Sequence, residues 1–234
     1  DAALRYSMVD MTLNNGLGDV SILDYTLLPI GQVIGTKVAI TKSCNGVNII
    51  AKLNTGQRFA TIQIDADGHI HTQPLYSESG TNLPIRAYQQ IERTGISFMK
   101  TSPNGKLLAI ATNNGVELHD IDPCNGMLSN ARIIDTTQSF GVCFSPNNQY
   151  LYTTRKEYQT GYTQSSEIMQ WDVSDPTNLN QIRQSGYQVM VNSVYYWPYS
   201  NLYLSSYMGS IAVGPDGKLY IASDTKYLYD EPAQ

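Results

Sequence analysis

The chain has 234 residues, 41% of them apolar and 15% charged, with a formal net charge of -5 at neutral pH. That mixture is too apolar for intrinsic disorder, and without a Lys/Arg run it offers no phosphate-neutralising patch for nucleic acid. No stretch of about 18 apolar residues is present, which excludes a helical membrane span.

Tyr occurs 17 times against 4 Phe. Tyr and Thr suit pleated, half-buried strands and Asn, Ser and Gly suit turns, so composition leans towards β structure. The start, Asp1 to Tyr6, lacks both the cationic and the apolar region of a signal peptide, so an export signal is expected outside this stretch or removed from it. Cys44, Cys124 and Cys143 form no Cys-x-x-Cys pair, and the odd count leaves at least one thiol free or paired between chains.

Taken in chain order, residues 4–13 read as a strand feeding the turn Asn14-Asn15-Gly16. Residues 38–41, 47–53 and 59–65 read as three further strands, the first two joined by the turn Cys44-Asn45-Gly46. Asp67-Gly68 marks a hairpin turn, followed by His69 and His71 on a strand. From residue 98 a pattern becomes regular. A short strand, then Ser102-Pro103-Asn104-Gly105-Lys106, then a second strand recurs at Ser145-Pro146-Asn147-Asn148-Gln149 and at Gly214-Pro215-Asp216-Gly217-Lys218. Pro sets φ at the first corner and Asn/Asp-Gly accepts the positive φ of a tight hairpin. Residues 116–122 and 167–173 alternate in period two, which predicts exposed-edge strands, and each runs into a Pro-containing turn.

Pro103 and Pro146 are 43 residues apart and Pro146 and Pro215 are 69 apart, one period and one period plus an insertion. A period of roughly 40–45 residues with four strands is that of a propeller blade. The fold class expected is therefore all-β: a propeller of four-stranded antiparallel blades, about five in this chain, forming a portion of a larger propeller of roughly six to eight blades. The units expected are a partial blade over 1–35, an irregular blade region over 36–95, a blade over 96–140, a blade with an insertion over 141–208 and the start of a last blade over 209–234.

The segments Leu4-Arg5-Tyr6-Ser7-Met8-Val9-Asp10-Met11 with Asn14-Asn15-Gly16-Leu17-Gly18-Asp19-Val20, then Lys42-Ser43-Cys44-Asn45-Gly46, the Lys100 to Lys106 turn with Leu118-His119-Asp120, and Gly141-Val142-Cys143-Phe144-Ser145-Pro146-Asn147 carry a resemblance. Together they resemble the YVTN/WD-repeat-like β-propeller regions of large secreted proteins with gliding-motility-associated or type IX secretion sorting domains. The resemblance implies export, a cell-surface or extracellular location and further domains on a larger chain. It implies no catalytic residue.

Candidate sites are few. His69 and His71 stand at i, i+2 and point to one face, half of a metal site with Asp65 and Asp67 nearby, but no third ligand has recognisable spacing. Two polar residues on an exposed face account for them more simply. His119-Asp120 resembles part of a catalytic relay without a nucleophile motif. Cys143 lies in an apolar strand and reads as a core thiol. The Tyr-rich stretch holds Tyr195, Tyr196, Trp197 and Tyr199, stiff amphipathic rings suited to a sugar or a protein partner, or to packing between blades. The function expected is a binding or scaffold module linked to adhesion or gliding, not an enzyme, with no cofactor and with a protein or surface glycan as partner. The rivals are a lactonase- or quinoprotein-type propeller enzyme and a carbohydrate-binding propeller.

Overall fold

A computed structural model describes residues 2–53, 56–80, 98–112, 115–158, 164–192, 195–197 and 202–228, with the backbone alone described at 2, 31–36, 156–158, 164–165, 195–197, 202–207 and 224–228. The repeated turns form as their chemistry demands. Ser102 Oγ donates to Asn104 Oδ1 and accepts from Leu107 N, and Asn104 Oδ1 also accepts from Lys106 N. Ser145 and Asn147 repeat these bonds with Tyr150 N and Gln149 N, and Asp216 Oδ1 accepts from Lys218 N. The positive φ falls at the same place in each copy, on Gly105 (70°), Asn148 (63°) and Gly217 (75°).

These three hairpins lie in three of the four antiparallel sheets formed by the described residues. The first holds β1 (Ala2–Asp10), β2 (Asp19–Ser43), β3 (Gly46–Leu53), β4 (Arg58–Asp65) and β5 (Leu75–Glu78), in that order. The second holds β6 (Met99–Thr101), β7 (Leu107–Thr112), β8 (Gly115–Ile121) and β9 (Leu128–Asp135). The third holds β10 (Ser139–Phe144), β11 (Tyr150–Tyr158), β12 (Gln164–Asp172) and β13 (Tyr187–Asn192), and the fourth β14 (Tyr195–Trp197), β15 (Leu202–Val213) and β16 (Leu219–Leu228). Strands β2, β6, β10 and β15, each leading into the Cys44 turn or a Pro turn, touch one another in succession. The sheets are thus stacked face to face about those strands as propeller blades. The fold is all-β.

Each seam between blades has its own core. Ala39, Ile50, Phe59, Met99, Leu108, Ile110, Ile121 and Leu128 fill the seam between the first and second blades. A larger cluster around Leu118, Val142, Leu151 and Trp171 fills the next. Helix α1 (Leu179–Gln184), which no periodic pattern announced, is capped by Asn178 and pushes Ile182 into that cluster. Strand β12 is interior to its sheet with Glu167 buried, rather than the exposed edge expected of residues 167–173, and strand β8 departs from its expectation in the same way. It is an interior strand, and the polar positions of its alternation, Glu117 and His119, are buried against the first blade rather than facing solvent.

Strand β2 serves two pairings. Its first half pairs with β1 and its second with β3, with a register shift between Val33 and Val38. The bend lets Leu27 and Leu28 cover Ala51, Leu53, Ala60 and Ile62 on the outer face of the first blade. Beyond that contact the β1–β2 hairpin is an arm with Val9, Met11, Leu17 and Leu23 exposed.

Cys44, in the β2–β3 turn, is disulfide-bonded to Cys124, in the β8–β9 turn of the next blade. The bond closes a sequence separation of 80 residues, which in a chain-entropy account removes roughly 4–5 kcal/mol of unfolded-state freedom. The Cys124 turn lies close on the first blade. A Cβ on Gly126 (φ +69°) would stand 2.8 Å from Asn48 Nδ2 and from Thr61 Cγ2, whereas one on Gly68 (φ +88°) would meet nothing within 4 Å. Gly68→Ala is therefore expected to cost about 1 kcal/mol, the left-handed backbone alone, and Gly126→Ala clearly more, because two neighbours must also move. Urea denaturation of the two variants checks the order.

Candidate functional site

In a meander, successive strand ends alternate between the two ends of a blade. The Pro turns and the disulfide occupy one end. Towards the other, the seam between the first and second blades turns from apolar to charged. Lys37 (β2), Lys52 (β3), Glu117 and His119 (β8) and Ser79 (just after β5) are all buried there, His119 with 0% of its surface exposed and Lys37 with 2%.

Strand geometry places them. Asn48, Ile50 and Lys52 alternate on the inner face of β3, and Glu117, His119 and Ile121 on the facing side of β8. Lys37 Nζ crosses the seam to donate to Ala111 O at 2.8 Å. Lys52 Nζ donates to Gly56 O at 2.7 Å and to Leu53 O at 3.2 Å, and stands 4.9 Å from the Phe59 ring centroid. Phe59 in turn meets the His119 ring edge-on at 5.3 Å. His119 Nδ1 is 3.0 Å from Ser79 Oγ, the donor depending on the tautomer, and His119 Nε2 is 3.4 Å from Glu117 Oε2 without hydrogen-bond alignment. Gly80 leaves room for that carboxylate: a Cβ there would be 3.1 Å from Glu117 Oε2.

Burial dominates the electrostatics. Desolvation, reinforced by repulsion from Lys52 and partly offset by Glu117, brings the Lys37 ammonium down to about 7. Desolvation, again offset by Glu117, brings Lys52 down to about 8. An amine titrating near neutrality can hold or release a proton at physiological pH. In the seam it does so between two blades rather than at an open surface.

Across the second blade lies a smaller ionic group. Arg155 Nε donates to Glu167 Oε2 at 2.6 Å, and Arg155 Nη1 is 3.7 Å from Asp135 Oδ2. Asp120 does not join His119. It points to the opposite face, where it accepts from Arg132 and from Asn130 Nδ2. Burial tends to raise its pKa, but those hydrogen bonds outweigh it and hold the carboxyl below its ordinary value. The adjacent pair therefore forms no relay.

The other sequence-derived candidates fare unevenly. His69 and His71 do share a face, their rings 5.2 Å apart, and His71 Nε2 pairs with Asp65 Oδ2 at 2.9 Å. Among the described residues no group of three or more His, Cys, Asp or Glu is arranged to hold a metal ion. Cys143 is a free, buried thiol, pushed up by desolvation. Tyr195, Tyr196 and Trp197 form β14, with Tyr196 paired to Tyr203 and Trp197 to Leu202, and Tyr199 lies outside the described residues. Lys37, Lys52, Glu117 and Ser79 were not singled out in the sequence. The one signal was Glu117-x-His119, which a period of two puts on one side of a strand. No helix among the described residues is long and apolar enough to cross a membrane.

No family model matches the chain, and no curated protein matches it. Solved structures do. The β-propeller domain of Cps50 (Swd1) from Myceliophteria thermophila is 15% identical, with 90% of this chain and 58% of that one covered and a TM-score of 0.45. The periplasmic gluconolactonase of Pseudomonas aeruginosa is 10% identical, with 94% and 72% covered and a TM-score of 0.39. The PQQ domain of pyranose dehydrogenase from Coprinopsis cinerea is 11% identical, with 83% and 49% covered and a TM-score of 0.42. The chain thus spans 58% of the length of the Cps50 propeller. The expectation that the chain is not an enzyme is corrected by this set, in which a lactonase and a dehydrogenase domain stand among the similar propellers.

The lysines make stability depend on pH. Unfolded, both keep their protons up to about pH 10. Folded, Lys37 releases its proton near 7 and Lys52 near 8. Between those values and about 10.5 the unfolded chain binds more protons, so stability rises with pH. Lys37→Met is expected to flatten that rise, read as urea midpoints between pH 6 and 10. An unchanged slope would remove Lys37 from the account.

Proposed function

We propose that this chain is a binding or scaffold module of a larger secreted or cell-surface protein. The observation that carries the reading is the Cys44–Cys124 bond, which joins two blades through a pair of solvent-exposed turns. Disulfides form and persist in oxidising compartments and are rare where glutathione keeps thiols reduced. The resemblance to propeller regions of gliding-motility-associated and type IX secretion proteins supports the same location. The exposed apolar arm adds contact area of the kind that marks interaction surfaces.

A glycan ligand is the second reading. It is favoured by three consecutive aromatic residues, Tyr195, Tyr196 and Trp197, in β14, a residue type whose stiff amphipathic rings suit stacking on a sugar.

Two measurements test these readings. Protein isolated from its native host and denatured without reductant should show one titratable thiol, Cys143, and three after reduction. Three thiols before reduction would overturn the extracytoplasmic assignment. On a glycan array, binding lost on Trp197→Ala and Tyr199→Ala supports the sugar reading, and binding retained by both variants sinks it.

A further inference from the structure

The disulfide does more than join two turns, because of what lies beneath it. Asn48, on the inner face of β3, is fully buried, and neither its Nδ2 nor its Oδ1 has a hydrogen-bond partner. Buried primary amides are almost always bonded, and one left without a partner favours any movement that admits water. The Asp122–Gly126 turn of the second blade lies over Asn48, so close that a Cβ on Gly126 would stand 2.8 Å from Asn48 Nδ2.

That turn is self-contained. Asp122 Oδ1 accepts from Cys124 N and Asn125 N, Gly126 N donates to Asp122 O, and Asp122 N donates to Met127 O. These bonds stay within the second blade and survive if the turn moves as a unit. Its ties to the first blade are three hydrogen bonds, Cys44 N to Pro123 O at 3.2 Å, Gln63 Nε2 to Cys124 O at 3.2 Å and Thr61 Oγ1 to Gly126 O at 3.0 Å, and the S–S bond. Both cysteines are exposed, so a soluble reductant can reach them.

We propose that Cys44–Cys124 is a redox latch on the seam between the first and second blades: its reduction lets the Asp122–Gly126 turn lift from β3 and β4 and admits water to Asn48. A dithiol reductant supplies the step. Its first thiolate attacks one cysteine sulfur and expels the other as a thiolate, its second thiolate attacks the reductant sulfur of the mixed disulfide and expels the remaining cysteine, Cys44 and Cys124 take up the reductant's two protons as thiols, and the reductant leaves as its cyclic disulfide. Three hydrogen bonds at the rim then oppose the hydration of one buried amide. The third blade, with its larger apolar seam, has no part in the opening.

Amide hydrogen exchange of the whole chain, with and without dithiothreitol, tests the latch. Reduction should speed exchange about tenfold or more at residues 122–128 and 46–50, leaving 141–155 and 166–173 unchanged. Cys44→Ser/Cys124→Ser should show the same pattern without reductant. Adding Asn48→Val to that background, or Asn48→Ala if the branched side chain is not accommodated, should bring protection back towards the oxidised level. Exchange unaltered by reduction overturns the proposal, and so does faster exchange across all blades alike, which marks a global staple. Failure of both Asn48 variants to restore protection overturns the role given to the buried amide.

Discussion

A blade of this size carries apolar side chains on both faces and can bury neither by itself, so its stability is set by the neighbours it is pressed against. Every other feature of the chain follows from that need for face-to-face contact. The second blade shows it best: Leu108 and Ile110 turn towards the first blade, Leu107 and Ala109 towards the third. On the far side of the first sheet, Leu27 and Leu28 of β2 cover Ala51, Leu53, Ala60 and Ile62.

The seams meet this need differently. The one between the second and third blades is continuous apolar packing closed at one edge by the Arg155–Glu167 pair, and Trp171 spends its indole N–H on Thr153 inside it. The one between the first and second is apolar only in the middle. Towards one end it holds Asn48 and Thr61 under a cross-linked turn, and towards the other two lysines, Glu117 and His119. Buried charges contribute less to stability than apolar side chains of similar volume, but they accept far fewer alternative arrangements. The mixed seam is thus the one crossed by specific polar contacts, with Lys37 donating to Ala111 O and Thr61 to Gly126 O.

Legibility in the sequence followed the range of the interaction. The three Pro turns could be read residue by residue, down to which position takes a positive φ, because Ser, Pro, Asn and Gly act on backbone within five residues. Strand β8 was misread as an edge because alternation reports only that two faces differ, and here a neighbouring blade rather than water covers the polar one. The pairing of Cys44 with Cys124 was out of reach: it depends on two turns of different blades meeting at a Cα separation of 4.6 Å. The charged cluster was hidden likewise, since Lys37, Lys52, Ser79 and Glu117 come from four elements and share no spacing. Helix α1 has one turn and a half and a single fully buried anchor, too little for a period to show.

Strand β2 runs unbroken for 25 residues from the exposed arm to the centre of the first blade. Whatever grips the arm pulls along the axis of the same strand that meets β6 of the second blade. Against such a pull the β2–β3 hydrogen bonds lie crosswise and are loaded together in shear rather than opened one by one. The disulfide sits at the far end of that line, immediately past Ser43, so that tension reaching the turn passes into the second blade through a covalent bond. The arm and the Cys44–Cys124 bond thus stand at opposite ends of one continuous strand.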